Sequence, residues 1–185
     1  MIRLHHAAGG QILAPFAVVL FGLTVLLLAV LGGLQERTDY ATVLERLQAA
    51  AVAGAGMGPA GSLAAGSPRL TCAGAACSAG AETPCPDALA ADPAGTTSAG
   101  RACLFLRQAL SALYGGGHAR VDVADAVAHA QVGVAQAGHA CPDAPGRIYH
   151  FATLCLTDDL YIGVVAHDGL GLRYHLVARA QIVYR

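Results

Sequence analysis

The sequence predicts an α+β protein: a long N-terminal transmembrane and stalk helix, then a small disulfide-containing head built on an antiparallel sheet. Three observations carry this. The stretch from Ile12 to Leu34 holds no charged residue. All six cysteines (Cys72, Cys77, Cys85, Cys103, Cys141 and Cys155) lie after it. The C-terminal third alternates apolar and polar residues with a period of two, the signature of half-buried strands.

Composition narrows the classes. The chain has 185 residues, 55% hydrophobic, 12% charged and 5% aromatic, with no Trp. Soluble domains carry about 25% charged residues, so a wholly soluble enzyme is disfavoured. The formal net charge of −1 gives no basic footprint for nucleic acid.

Residues 1–11 read as a short cytoplasmic leader and 12–34 as the membrane span. A bilayer core needs roughly 20 apolar residues in a helix, and the span covers roughly 34 Å at the helical rise. It is longer than the apolar core of a cleavable signal peptide, and no Ala-x-Ala site follows it. Arg3 precedes the span, whereas Glu36, Arg37 and Asp39 follow it. The positive-inside tendency places the N-terminus in the cytoplasm and the head outside. Six cysteines suit that oxidising side, with up to three disulfides and fifteen possible connectivities.

Residues 35–53 are expected to continue the helix as a stalk. Tyr40, Val43, Leu44 and Leu47 form one apolar stripe, and Ala49 to Ala53 extend the helix at little cost. Residues 12–53 would span about 63 Å as one helix. Gly54, Gly56, Gly58 and Pro59 end it. Residues 54–100, rich in Gly, Ala, Pro and Ser, read as an irregular disulfide-pinned loop.

Residues 101–185 form the predicted head. Cys103 to Tyr114 reads as a helix, stopped by Gly115, Gly116 and Gly117. Strands are expected at Ala119–Val123, Ala128–Val134, Arg147–Thr157 and Leu160–Ala166. Asp158 and Asp159 would form a turn, and Asp168–Gly169 a hairpin. In the last strand Leu172, Tyr174, Leu176, Ala178, Ala180, Ile182 and Tyr184 share one face. A sheet of three to five strands packed on helix follows.

The segment GlyGlyGlnIleLeuAlaProPheAlaValValLeu at 9–20, the span after it, and LeuGlnAlaAlaAlaValAlaGlyAla at 47–55 resemble Tad (tight adherence, Flp-type) pilus-assembly proteins of the TadE/TadG kind. Leu47, Gln48, Ala49 to Ala51, Ala53, Gly54 and Ala55 match that family's Ala-rich helix end. The likeness covers about residues 9–56. It implies a membrane-anchored structural or assembly component of a Tad/Flp-type pilus or secretion system. Its partners would be the lipid bilayer, other pilus subunits and further copies met through the N-terminal helix. The head would be extracytoplasmic or carried within a surface pilus. Leader processing in the family would map onto Gly10, Gln11 and Phe16. Pro15 stands where the family pattern has Glu, which favours the uncleaved TadG-like form. Gly22, Gly32 and Gly33 offer positions for close helix packing in the span. The alternative is a single-span, anchored extracytoplasmic binding module of unrelated origin.

No enzyme motif competes. There is no Gly-x-Ser-x-Gly, His-Glu-x-x-His or Cys-x-x-Cys. His118, His129, His139, His150, His167 and His175 follow no ligand spacing, although His150 and His175 could fall on neighbouring strands. No cofactor, metal or nucleic acid is expected. The cysteines read as structural disulfides.

Overall fold

A computed structural model describes residues 10–56, 70, 82–116, 120–141, 143–165 and 170–181. The chain divides into two units, Met1–Thr38 and Asp39–Arg185. Helix α1 (Gly10–Ala55) contributes to both.

In the first unit α1 is apolar on every side. Each large side chain from Phe16 to Leu34 is exposed, Phe16 by 60% and Phe21 by 72%. The most apolar window has a mean hydropathy of 2.7 and none of it is buried within the chain. Among the described residues this is the one helix long and apolar enough to cross a membrane. A helix satisfies its own backbone groups, as a lipid environment demands. The hydroxyl of Thr24 is satisfied too, donating to the Leu20 carbonyl at 2.8 Å.

The second unit is the head. After the last turns of α1 come β1 (Glu82–Pro84), α2 (Cys85–Ala91), α3 (Ser98–Tyr114), α4 (Val123–His129), β2 (Gln131–Ala135), β3 (Thr153–Val165) and β4 (Leu170–Gln181). The four strands pair antiparallel in the order β1-β2-β3-β4. Their alternation makes two faces. On the inner face Val132, Leu156 and Ala178 form one row, and Val134, Leu154 and Ala180 the next. These pack with Val43, Leu47, Ala50 and Ala51 of α1, with Leu106 and Leu110 of α3 and with Ala126 of α4. Of the stripe expected from Tyr40 to Leu47, Val43 and Leu47 are buried in this core and Tyr40 and Leu44 are half-buried against it.

Several local readings change. Residues 82–100 are not irregular: β1, α2 and the first turn of α3 lie there. Cys85 is the pivot, because its N–H donates to the Ala130 carbonyl at 2.8 Å and its sulfur bonds Cys103 of α3. Val123 starts a helix where a strand was expected. Asp122 caps that helix by accepting from the Ala124 and Asp125 amides. Among the described residues, backbone pairing of 120–123 with the sheet is thus confined to a bridge of Val121 to Ile162 and the Arg120 carbonyl accepting from the Gly163 amide. Ala128 and His129 belong to the same helix.

Asp158 and Asp159 sit in mid-strand, not in a turn. The two predicted strands flanking them are one continuous β3, and its first expected residues lie outside it. Ile148 makes only an isolated bridge to Ala140. The C-terminal strand and the helix stop at Gly115 follow expectation. Ala119, Gly117, Asp168, Gly169, Ile182 and Tyr184 lie outside the described residues.

Candidate functional site

Two features distinguish the molecule: the apolar run of α1, and the way the rest of α1 is seated in the head. Leu47, Ala50, Ala51 and Ala55 are buried there. Gly54 comes closest. A Cβ at that position would lie 2.6 Å from the Ser98 carbonyl oxygen and 2.8 Å from both Ala102 Cβ and Leu154 Cδ1. Helix, helix and strand meet at this point with no room for a methyl group. The Ala-Gly-Ala end of α1 is therefore a packing device. At Gly22, Gly32 and Gly33, by contrast, a Cβ would meet nothing within 4 Å. Gly10 is the first residue of α1, Gln11 follows within the helix and Phe16 is exposed on it.

Polar contacts hold α1 to the head as well. Asp39 accepts from Arg120 Nε at 2.6 Å and from the Tyr114 hydroxyl at 3.4 Å. Burial and then the Asp39 charge push the Tyr114 phenol above its usual range. Gln48 Nε2 donates to the Arg179 carbonyl at 2.8 Å, covering one backbone acceptor of β4.

The disulfides do two jobs. Cys85–Cys103 joins α2 to α3 within the main core. Cys141–Cys155 joins the segment between β2 and β3 to the outer face of the sheet, where Ala135 and Tyr149 are buried with it. Asp143 adds an ion pair with Arg179 of β4. The Asp143 side chain is only 9% exposed, and its Oδ1 has no partner among the described residues. Cys141, Cys155 and Asp143 offer donor atoms within 4.8 Å of one another. Both sulfurs are committed to the disulfide, so the trio is a covalent clamp and not a set of thiolate ligands. Cys72 and Cys77 lie outside the described residues.

Several polar groups escaped the sequence reading. Asp92 accepts from the amides and hydroxyls of Thr96 and Thr97 at 2.7–3.0 Å. Burial works against its charge, but these four bonds, led by the Thr97 amide, hold the carboxyl at about 2. This clasp sets the start of α3, where the Thr97 hydroxyl accepts from the Gly100 amide. Gly95, at φ 63°, supplies the left-handed turn. Burial, then the charge of Asp143, raises the Glu82 carboxyl, with His175 acting against them. Asp159 pairs with His175 at 2.9 Å, whereas His150 lies exposed beyond any strand. Asp158 is buried among leucines. The alternation Leu154, Leu156, Leu160, Ile162 was the signal that places it inward.

An apolar helix long enough to cross a membrane, joined in sequence to a cystine-held α+β head, fits a membrane-anchored architecture. Compared with family models, with curated proteins and with solved structures, the chain finds no match in any of the three.

Proposed function

We propose that this protein is a membrane-anchored structural or assembly component of a Tad/Flp-type pilus or secretion system. In this reading the α1 span sits in the bilayer with its N-terminus cytoplasmic, and the head stands on the extracytoplasmic side. Its action is packing, with no chemical step. One observation carries the reading. Within the family-like segment 47–55, Leu47, Ala50, Ala51, Gly54 and Ala55 seat α1 in the head, with Gly54 admitting no side chain. The apolar turns before them find no cover within the chain. A helix made this way is anchored at one end and offers its other end to lipid or to like helices. Gly22, Gly32 and Gly33 would allow close approach there.

The test is photo-crosslinking in native membranes from Leu23 and Leu27. Adducts with pilus or secretion-system subunits are expected, together with protection of the head from cytoplasmic protease. A span that yields only lipid adducts, or a head that cytoplasmic protease digests, overturns the proposal.

A further inference from the structure

The head presents an apolar groove of about 850 Å³ between α1 and β4, lined by Tyr40, Leu44, Ala49, Val52 and Val177, with Glu45 as its charged residue. Val52 is 57% exposed within it. Soluble surfaces seldom leave a concave apolar patch of this kind uncovered without a partner. Glu45 makes no ion pair among the described residues. Next to it on the same head, the segment between β2 and β3 carries the complement, its Arg147 and Tyr149 lining a second pocket with Gln48 and Val177. Ile148 is 66% exposed and Phe151 is 40% exposed. Beside them Arg147 lies over the Tyr149 ring at 5.4 Å and meets no carboxylate among the described residues. The knob is held stiffly, because Cys141–Cys155, the Asp143–Arg179 pair and the Ala140–Ile148 bridge fix the segment to the sheet.

We propose that the groove receives a second copy of this chain, with Ile148 and Phe151 of one copy seated on Leu44, Val52 and Val177 of the next and Arg147 meeting Glu45. Size, polarity and charge agree on this occupant. Two bulky apolar side chains fill a groove without polar demands, and one unpaired cation faces one unpaired anion. Binding of a rigid, preformed knob also spares much of the ordering entropy that a flexible peptide would lose. The inference rests on the assembly reading and names a head-to-head contact separate from residues 12–34.

The test uses the full chain in lipid nanodiscs and in native membranes, with association read by single-molecule mass and by energy transfer between labelled copies. Ile148→Glu and Val52→Glu change exposed positions, so the fold survives. Each is expected to weaken self-association about tenfold or more. Glu45→Arg and Arg147→Glu are each expected to weaken it severalfold, and the double charge reversal to restore it. Association through the span that ignores all four substitutions overturns this contact and leaves the assembly reading standing. Chains that stay monomeric while Val52→Glu alters only detergent or lipid binding assign the groove to lipid and overturn it as well. Loss of the pilus-subunit adducts from Leu23 and Leu27, with the charge-reversal rescue intact, removes the assembly reading and keeps the contact.

Discussion

On the inner face of the sheet, Asp158 is 1% exposed and neither carboxylate oxygen has a well-formed hydrogen bond. On the outer face the next residue, Asp159, is well exposed and meets His175 at 2.9 Å. One peptide bond separates two aspartates in opposite states. Burial, then the charges of Asp159 and Asp125, raise the Asp158 carboxyl to about 8, with the Asp159 amide partly offsetting them. The contrast shows how strongly a strand's alternation governs chemistry. The inner face is a hydrocarbon layer covered by helices, in which a charge has no compensation. The outer face is wet where Asp159 lies, and is dry where the Cys141–Cys155 segment covers it.

Breaking the inner layer should have the largest effect. Leu156→Ala leaves a cavity beneath the helices and should cost about 3–4 kcal/mol, read by urea unfolding of the full chain in detergent. A cost below about 1 kcal/mol would mean the helices do not press on that row. The outer clamp comes next. Replacing Cys141 and Cys155 together by Ser releases a loop with sequence separation 14 and should cost about 2–3 kcal/mol. Hydrogen exchange should rise in residues 136–152 and stay unchanged in α3. Equal loosening of both would contradict the two-sided description.

The two aspartates supply the finer tests. A carboxyl whose folded pKa lies above its unfolded value near 3.8 stabilises most below that value. This stability is lost as pH rises through about 8. Asp92 acts in the opposite sense: its contribution is present above 3.8 and is lost as pH falls through about 2. The head should therefore melt highest near pH 4 and lose stability towards pH 8. Asp158→Asn should flatten the neutral limb and gain about 1–2 kcal/mol at pH 7. Parallel melting curves for the variant and the parent would sink the assignment. Asp159→Asn should change stability by less than about 0.5 kcal/mol, and by less still in high salt, because its partner is exposed.

How far these features could be read in advance follows from their range. The apolar span, the stripe from Tyr40 to Leu47, the helix stop at Gly115 and the face shared by Leu176, Ala178 and Ala180 are periodic and local. Each was legible from residue types alone. Residues 82–100 were not, because small Gly, Ala and Pro residues give no periodic signal; α2 exists through the Cys85 disulfide and the Ala130 carbonyl. Val121 and Val123 alternate like a strand, but Asp122 is a better helix cap than a strand residue. Paired aspartates suggest a turn by composition, and the sheet overruled that preference at Asp158.

The sequence by itself determined that residues 12–34 are a charge-free helical run, that the turns after it have one greasy side, and that cysteines follow. These depend on spacing within a few residues, where chain geometry leaves little choice. Only the tertiary structure decided which cysteines pair, which aspartate goes inward, why Gly54 must lack a side chain, and where a groove stays open beside Val52. Those depend on which distant segments press together, and no local pattern carries that information.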